Sequence, residues 1–216
     1  SREDINDAML SMNFKSFDEL PNGARVGTTS LRRRMQLLAL RPDLEIISLR
    51  GNVNSRIAKL KDGEFDAIIL AMAGINRLDL SKEVNYVSVL NTIAAMGQGA
   101  LGIEAVDRAD ILEAIEFLND EKSVIETTIE RAFVHRLNGG CQAPIGVSAR
   151  LDGDKISVKA ILGTPDGKEI LKDERVFNKA EYKEAGEILA DEFINQGAKE
   201  LLAKAEQIAS QIWAIK

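Results

Sequence analysis

Between residues 25 and 71 the chain repeats one pattern, an apolar run followed by a turn and an amphipathic stretch, and this alternation constrains its fold more than any other feature. Residues 25–28, 45–49 and 65–71 read as strands, the last two nearly continuous in apolar side chains. Residues 30–40 read as a helix with Leu31, Met35, Leu38 and Ala39 on one face, ended by Arg41-Pro42-Asp43. Residues 53–60 read as a second helix carrying Val53, Ile57 and Leu60, stopped at Asp62-Gly63. Apolar strands joined through helices predict a parallel sheet covered on both faces, because right-handed crossovers lay each helix back over the sheet. The α/β class follows from this segment alone.

In such a sheet, ligands bind beyond the carboxyl ends of the strands, where helix N-termini present unpaired N–H groups. Residues 25–77 hold ten Lys+Arg against five acids, in a chain whose net charge is −6. Thr28-Thr29-Ser30 closes the first strand and caps the next helix, with Arg32 and Arg33 in its first turn; Arg50 closes the second strand, Arg56 lies in the helix after it, and Arg77 follows the third strand. An arginine in the first turn opposes the helix dipole, so its presence there calls for an external anion. The competing reading is a solvated basic face. Arg32, Arg33, Arg50 and Arg56 are all arginine and none is lysine, which favours planar, bidentate recognition of carboxylate or phosphate. Phe65 is the sole aromatic residue of the segment, so a stacking surface for nucleic acid is not expected, and Gly51-Asn52-Val53-Asn54 is no nucleotide-binding fingerprint.

Further on, residues 86–90 read as a strand, Met96-Gly97-Gln98-Gly99-Ala100-Leu101-Gly102 as a glycine-rich hinge leading into a strand-like piece at 101–104, and residues 110–119 as a helix. Ser123 and Glu126 form a capping-box pattern ahead of a long helix with Ile125, Ile129, Ala132, Phe133 and Leu137 on its apolar stripe. His135, the lone histidine, lies beside that stripe and is read as structural. The helix runs into Asn138-Gly139-Gly140-Cys141-Gln142-Ala143-Pro144, where two glycines allow positive φ and a sharp exit and Pro144 stiffens the strand entry. Cys141, the single cysteine, is either a buried core thiol or a covalent anchor. Beyond it, residues 145–151, 156–162 and 169–177 predict three antiparallel strands, and two helices parted by Gly197 finish an α+β unit that begins near residue 121.

One cysteine and one histidine exclude a disulfide within the chain and a metal cluster built from those residue types. No apolar run approaches membrane-spanning length and the first residues lack the basic and apolar parts of a signal peptide, so the cytoplasm is the expected location, without membrane or nucleic-acid partners.

The chain resembles the porphobilinogen deaminase (hydroxymethylbilane synthase) family of tetrapyrrole and haem biosynthesis. Residues 26–33, Val-Gly-Thr-Thr-Ser-Leu-Arg-Arg, then Leu49-Arg50-Gly51-Asn52-Val53, Phe65-Asp66-Ala67-Ile68-Ile69-Leu70-Ala71, Gly97-Gln98-Gly99-Ala100, Glu130-Arg131-Ala132 and Gly139-Gly140-Cys141-Gln142 follow that family's motifs in its order. The resemblance implies a transferase that joins four porphobilinogen molecules head to tail, releasing ammonia, to give hydroxymethylbilane. It implies a periplasmic-binding-protein-like parallel-sheet domain over residues 1–93, a hinge and remnant of another domain over 94–120, and a C-terminal α+β domain with a three-stranded antiparallel sheet over 121–216.

By the same resemblance Cys141 holds a dipyrromethane cofactor as a thioether, with Arg32, Arg33, Ser30, Thr29 and Arg50 as its further binding residues. Arg50, Gly51, Arg56 and Arg77 then match positions that bind porphobilinogen and the growing oligopyrrole through acetate and propionate groups. The intact enzyme is expected to be a monomer. The family's N-terminal segment, which carries its catalytic aspartate, has no counterpart among these residues, so no catalytic residue is assigned and the chain alone is expected to be inactive, with that segment as its partner. The rival expectation is a non-catalytic, two-lobed anion-binding module, which leaves Cys141 without a role.

Overall fold

The computed structural model describes residues 1–140 and 142–214, excepting the side chains of Trp213 and Ala214. Its first part is a five-stranded sheet built from β1 (Asp7–Ser11), β2 (Arg25–Gly27), β3 (Glu45–Ile47), β4 (Ala67–Ala71) and β5 (Tyr86–Val89) in the order β3-β2-β4-β1-β5. The predicted alternation is present: β2 pairs in parallel with both β3 and β4, and α1 (Leu31–Leu40) and α2 (Val53–Lys61) form the crossovers. A short α3 (Met72–Arg77) follows β4.

One strand departs from expectation. β1 lies ahead of residue 25, where no strand is predicted, yet all five of its residues are buried, and it runs antiparallel between β4 and β5. It covers both faces of the sheet at once, so its sequence shows no alternation, and its ends are the polar Asp7 and Ser11. Alternate residues sort the two cores. Ala8, Leu10, Ile68 and Leu70 pack with Ile57, Leu60 and Ile75 from α2 and α3, whereas Met9, Val26 and Ile69 pack with Leu37 and Leu38 from α1. Helices thus cover both faces.

The glycine-rich segment has no strand at residues 101–104; Leu101 is 81% exposed and no regular structure begins until α4 (Ala109–Ile115), which ends in a 3-10 turn at Glu116–Leu118. The capping box at Ser123 is also replaced. α5 (Glu121–Arg136) starts three residues earlier, because the Asp120 carboxylate accepts from the Ser123 N–H at 2.9 Å and supplies the cap itself. Glu126 is thereby released to face inward.

β6 (Ile145–Asp152), β7 (Lys155–Gly163) and β8 (Ile170–Asn178) form the expected antiparallel sheet, backed by α5 and α6 (Tyr182–Asn195), with α7 (Ala198–Ala214) after Gly197. Phe133 and Phe193 meet edge to face at 5.2 Å in this core. The two parts touch through backbone as well as side chains. The Val147 N–H donates to the Ala94 carbonyl at 2.9 Å, and Met35, Ile93 and Ile161 share a small buried cluster. Gly167, in the β7–β8 turn, sits at φ +72 and lies so close to α1 that a Cβ would stand 2.6 Å from Ala39 N.

Candidate functional site

Thr29, Ser30 and Arg50, of the residues expected to meet an anion, line one cavity at the ends of β2 and β3, whereas Arg32 and Arg33 are engaged by an internal anion. Ser30 caps α1, its hydroxyl accepting from Arg33 N–H. One turn of helix then carries Arg32 and Arg33 over the start of β1, where Arg32 donates to both carboxylate oxygens of Asp7 at 2.6 and 3.1 Å and Arg33 Nε donates at 2.9 Å. Thr92 Oγ and Gln98 Nε2 also donate to Asp7, at 3.1 and 3.0 Å. Burial raises the Asp7 pKa, but the charge and hydrogen bond of Arg32, then Arg33 and Gln98, outweigh it and hold the carboxyl at about 2. Arg32 is 4% exposed and gives a further bond to the Ile93 carbonyl at 2.7 Å. The helix dipole that opposed these arginines is therefore answered from inside the fold, by a residue that sequence reading missed. Its signal was faint: an acid beginning a short apolar run, Asp7-Ala8-Met9-Leu10.

Two guanidinium groups against one carboxylate leave positive charge. Burial lowers the pKa of Arg33 first, and repulsion from Arg32 and from Arg56 adds to this against the opposing pull of Asp7, which places Arg56 within electrostatic reach of the pair. Asn52 caps α2 by accepting from Ser55 N–H at 2.9 Å, and Arg56 Nε donates to the Gly51 carbonyl at 2.9 Å. Gly51 sits at φ +117, a conformation that suits glycine and lets the chain turn between Arg50 and α2. Arg50 is exposed beside this turn, and Arg77 is exposed at the end of α3 rather than directly after its strand.

A cavity of about 490 Å³ opens where β2 and β3 end, lined by Thr28, Thr29, Ser30, Leu31, Arg34, Ser48 and Arg50, with Ile212 of α7 on its far wall. A second, of about 700 Å³, lies between α7 and the loop after α5, with Asn138, Gly139, Gly140, Gln142, Ala143 and Pro144 on one side and Leu202, Ala205 and Ala209 on the other. Leu31 lines both. The cysteine loop thus borders the arginine-bearing strand ends.

Cys141 itself lies outside the described residues. Around it, the positive φ expected of the glycines belongs to Asn138, at +53°, a residue type that tolerates the left-handed region. Gly139 serves a different need, since a Cβ there would stand 2.5 Å from Ile145 Cδ1. Ala143 N–H donates to the Gly140 carbonyl at 2.9 Å. His135 is exposed in the last turn of α5.

A second buried ionic cluster fastens the loop at Gly97. Glu130, fully buried on α5, accepts from Arg2 at 2.9 and 2.8 Å, from Gly97 N–H at 2.7 Å and from Ala149 N–H at 2.9 Å. Burial raises its pKa, against the opposing hydrogen bond and charge of Arg2. Glu126 accepts from Leu151 N–H at 3.0 Å. Among the described residues no group of three or more His, Cys, Asp or Glu is arranged to hold a metal ion, and no helix is long and apolar enough to cross a membrane.

Comparison with known proteins agrees with this arrangement. The family profile described as porphobilinogen deaminase, dipyromethane cofactor binding domain, matches residues 1–114, and that of the porphobilinogen deaminase C-terminal domain matches residues 124–195. Porphobilinogen deaminase of Campylobacter fetus subsp. fetus is 73% identical over 208 residues, covering 96% of this chain and 69% of that one. The enzyme of Campylobacter jejuni subsp. jejuni is 63% identical over 210 residues, covering 96% and 68%. An arginine-specific periplasmic binding protein of Salmonella typhimurium aligns over 57% of this chain at 17% identity, with 56% of its own chain covered and a TM-score of 0.35, a likeness too low to bear on function. With profiles matched in order on both halves and relatives identical at most positions, the chain belongs to the porphobilinogen deaminase family.

Proposed function

We propose that this protein works as a hydroxymethylbilane synthase, joining porphobilinogen units head to tail with loss of ammonia, and that the cleft between the β2 and β3 ends and the loop at 138–144 holds the growing chain. The observation that carries the reading is the placement of that loop beside the strand-end cavity, in a chain matched by the family's cofactor-binding profile. Each pyrrole of the substrate bears an acetate and a propionate, so a chain of them is a row of carboxylates. A cleft with guanidinium forks, hydroxyls and a capped helix N-terminus suits such a ligand.

The donor set fits a dipyrromethane. Cys141 would hold it as a thioether, and Arg50, with the hydroxyls of Thr29 and Ser30, would meet its carboxylates; the group supplies, when bound, the pyrrole to which the first substrate is joined. Arg33 contributes to the same field through the charge that Asp7 leaves unneutralised, and Arg32 acts through Asp7 and the loop at Ile93. Arg56, Arg77 and the turn at Gly51 are proposed for porphobilinogen and the later rings. Neutralising these carboxylates lets successive rings lie close together, and fixing the rings positions each new unit for attack. Asp7 is not the group that manages protons, because four donors occupy it and its pKa is about 2. The proposed division is an anion-binding unit over residues 1–93, a hinge over 94–120 and the cysteine-bearing unit from 121 onward, in a monomer acting in the cytoplasm.

Mass spectrometry of the peptide carrying Cys141, before and after incubation with porphobilinogen, tests the reading. An adduct of two pyrrole units, extended stepwise by substrate and absent from Cys141→Ser, is the expected result. A wild-type protein from the complete reading frame that carries no adduct and consumes no porphobilinogen would refute it.

A further inference from the structure

Arg34 differs from its two neighbours in what it does with its charge. It is the fourth residue of α1, and its side chain leaves the helix toward β3, where Nη1 donates to the Ile46 carbonyl at 2.9 Å. Its Nε is buried and finds no acceptor among the described residues. A guanidinium carries five donors, and a buried one left unmade costs free energy that must be recovered elsewhere or by a ligand. Asp166, on the β7–β8 turn, attracts this charge from the other side, and burial lowers the Arg34 pKa, so the group sits in a partly dry place between the two units. Arg34 also lines the strand-end cavity with Thr29, Ser30, Ser48 and Arg50. The one acid on that wall, Glu45, begins β3, whereas Ser48 and Arg50 follow its carboxyl end.

Arg32 and Arg33 share Asp7, and Arg32 is almost wholly withdrawn from the cavity. Leu31 borders both the loop cavity and this one. We infer that Arg34 is a further carboxylate-binding residue of the cleft, taking an acetate or propionate of a pyrrole unit alongside Arg50 while Ile46 fixes its orientation. This rests on the reading of the cleft as the seat of a carboxylate-bearing pyrrole chain. Arg34 sets ligand affinity and leaves the joining chemistry to others.

The test uses protein expressed from the complete reading frame, with porphobilinogen as the probe. For Arg34→Gln the expected result is a KM raised about ten-fold, the effect of losing one charged hydrogen bond, with kcat within about two-fold. Arg34→Lys, which keeps the charge but loses the fork, is expected to raise KM by about three-fold and decides the matter if the Gln variant does not fold. Thermal unfolding run beside the kinetics separates a purely structural role, which would lower Tm and leave KM in place. Unchanged KM in the folded variants, with wild type active and its Cys141 adduct present, overturns the inference and leaves the proposed function standing; a wild type without adduct or activity overturns both.

Discussion

Gln98 holds Asp7 through its side chain, Nε2 to Oδ1 at 3.0 Å, while its own carbonyl accepts from Arg2 Nε at 3.0 Å. One residue of the Gly97-Gln98-Gly99 turn therefore ties the ion cluster under the strand ends to the cluster around Glu130. A segment that composition marks as a hinge is fastened at both sides by buried charge, and the two halves of the cleft are registered through it.

Removing Asp7 should be costly. Asp7→Ala leaves Arg32 buried against no carboxylate, and breaking such a pair costs about 3–5 kcal/mol. Urea unfolding is expected to show this loss, and adding Arg32→Met to Asp7→Ala should recover part of it, since the second change removes the stranded charge.

The same group predicts a pH dependence. The folded pKa of Asp7, about 2, lies below its ordinary 3.8, so the folded state releases the proton more readily. Its contribution, on the order of 2 kcal/mol, is complete above about pH 4 and lost as pH falls through 2. Stability measured from pH 5 to pH 2 should fall more steeply in wild type than in the Asp7→Ala, Arg32→Met double variant.

Glu130→Gln should loosen the Gly97 turn. The amide keeps one acceptor oxygen but turns an NH₂ toward donors that now meet a carboxylate, from Arg2, Gly97 and Ala149. A loss of about 3 kcal/mol is expected, with faster hydrogen exchange at Gly97 and Ala149 than at the β7–β8 ladder.

Gly167 admits no side chain. At φ +72 and with a Cβ 2.6 Å from Ala39 N and 2.8 Å from Met35 O, Gly167→Ala must push the β7–β8 turn away from α1. A Tm decrease corresponding to about 1–3 kcal/mol is expected, with exchange increasing at the C-terminal half of α1. Unchanged Tm would show that this contact adds nothing to the docking of the two units.

Arg56→Ala should weaken substrate binding with little effect on folding, because its Nε donates to an exposed carbonyl, that of Gly51. Porphobilinogen KM is expected to rise about five- to ten-fold, with Tm shifted by less than that of Asp7→Ala. A normal KM would remove Arg56 from the proposed site.

What the sequence determined by itself were the elements whose signals are local. The α1 and α2 crossovers, their Ser30 and Asn52 ends, and the β6–β8 meander with its Asp-Gly turns depend on periodicity, capping and turn chemistry, all written within a few residues. The family motifs, too, are contiguous stretches. Tertiary structure alone decided β1, because five residues buried on both faces carry no alternation, and it decided the fate of the arginines. Nothing near Arg32 in sequence shows that Asp7, twenty-five positions earlier, meets it. A charge finds its partner through space, and only the folded sheet brings Asp7 beneath the first turn of α1, turning one expected ligand-binding arginine into a support and leaving Arg34 and Arg50 to line the cavity.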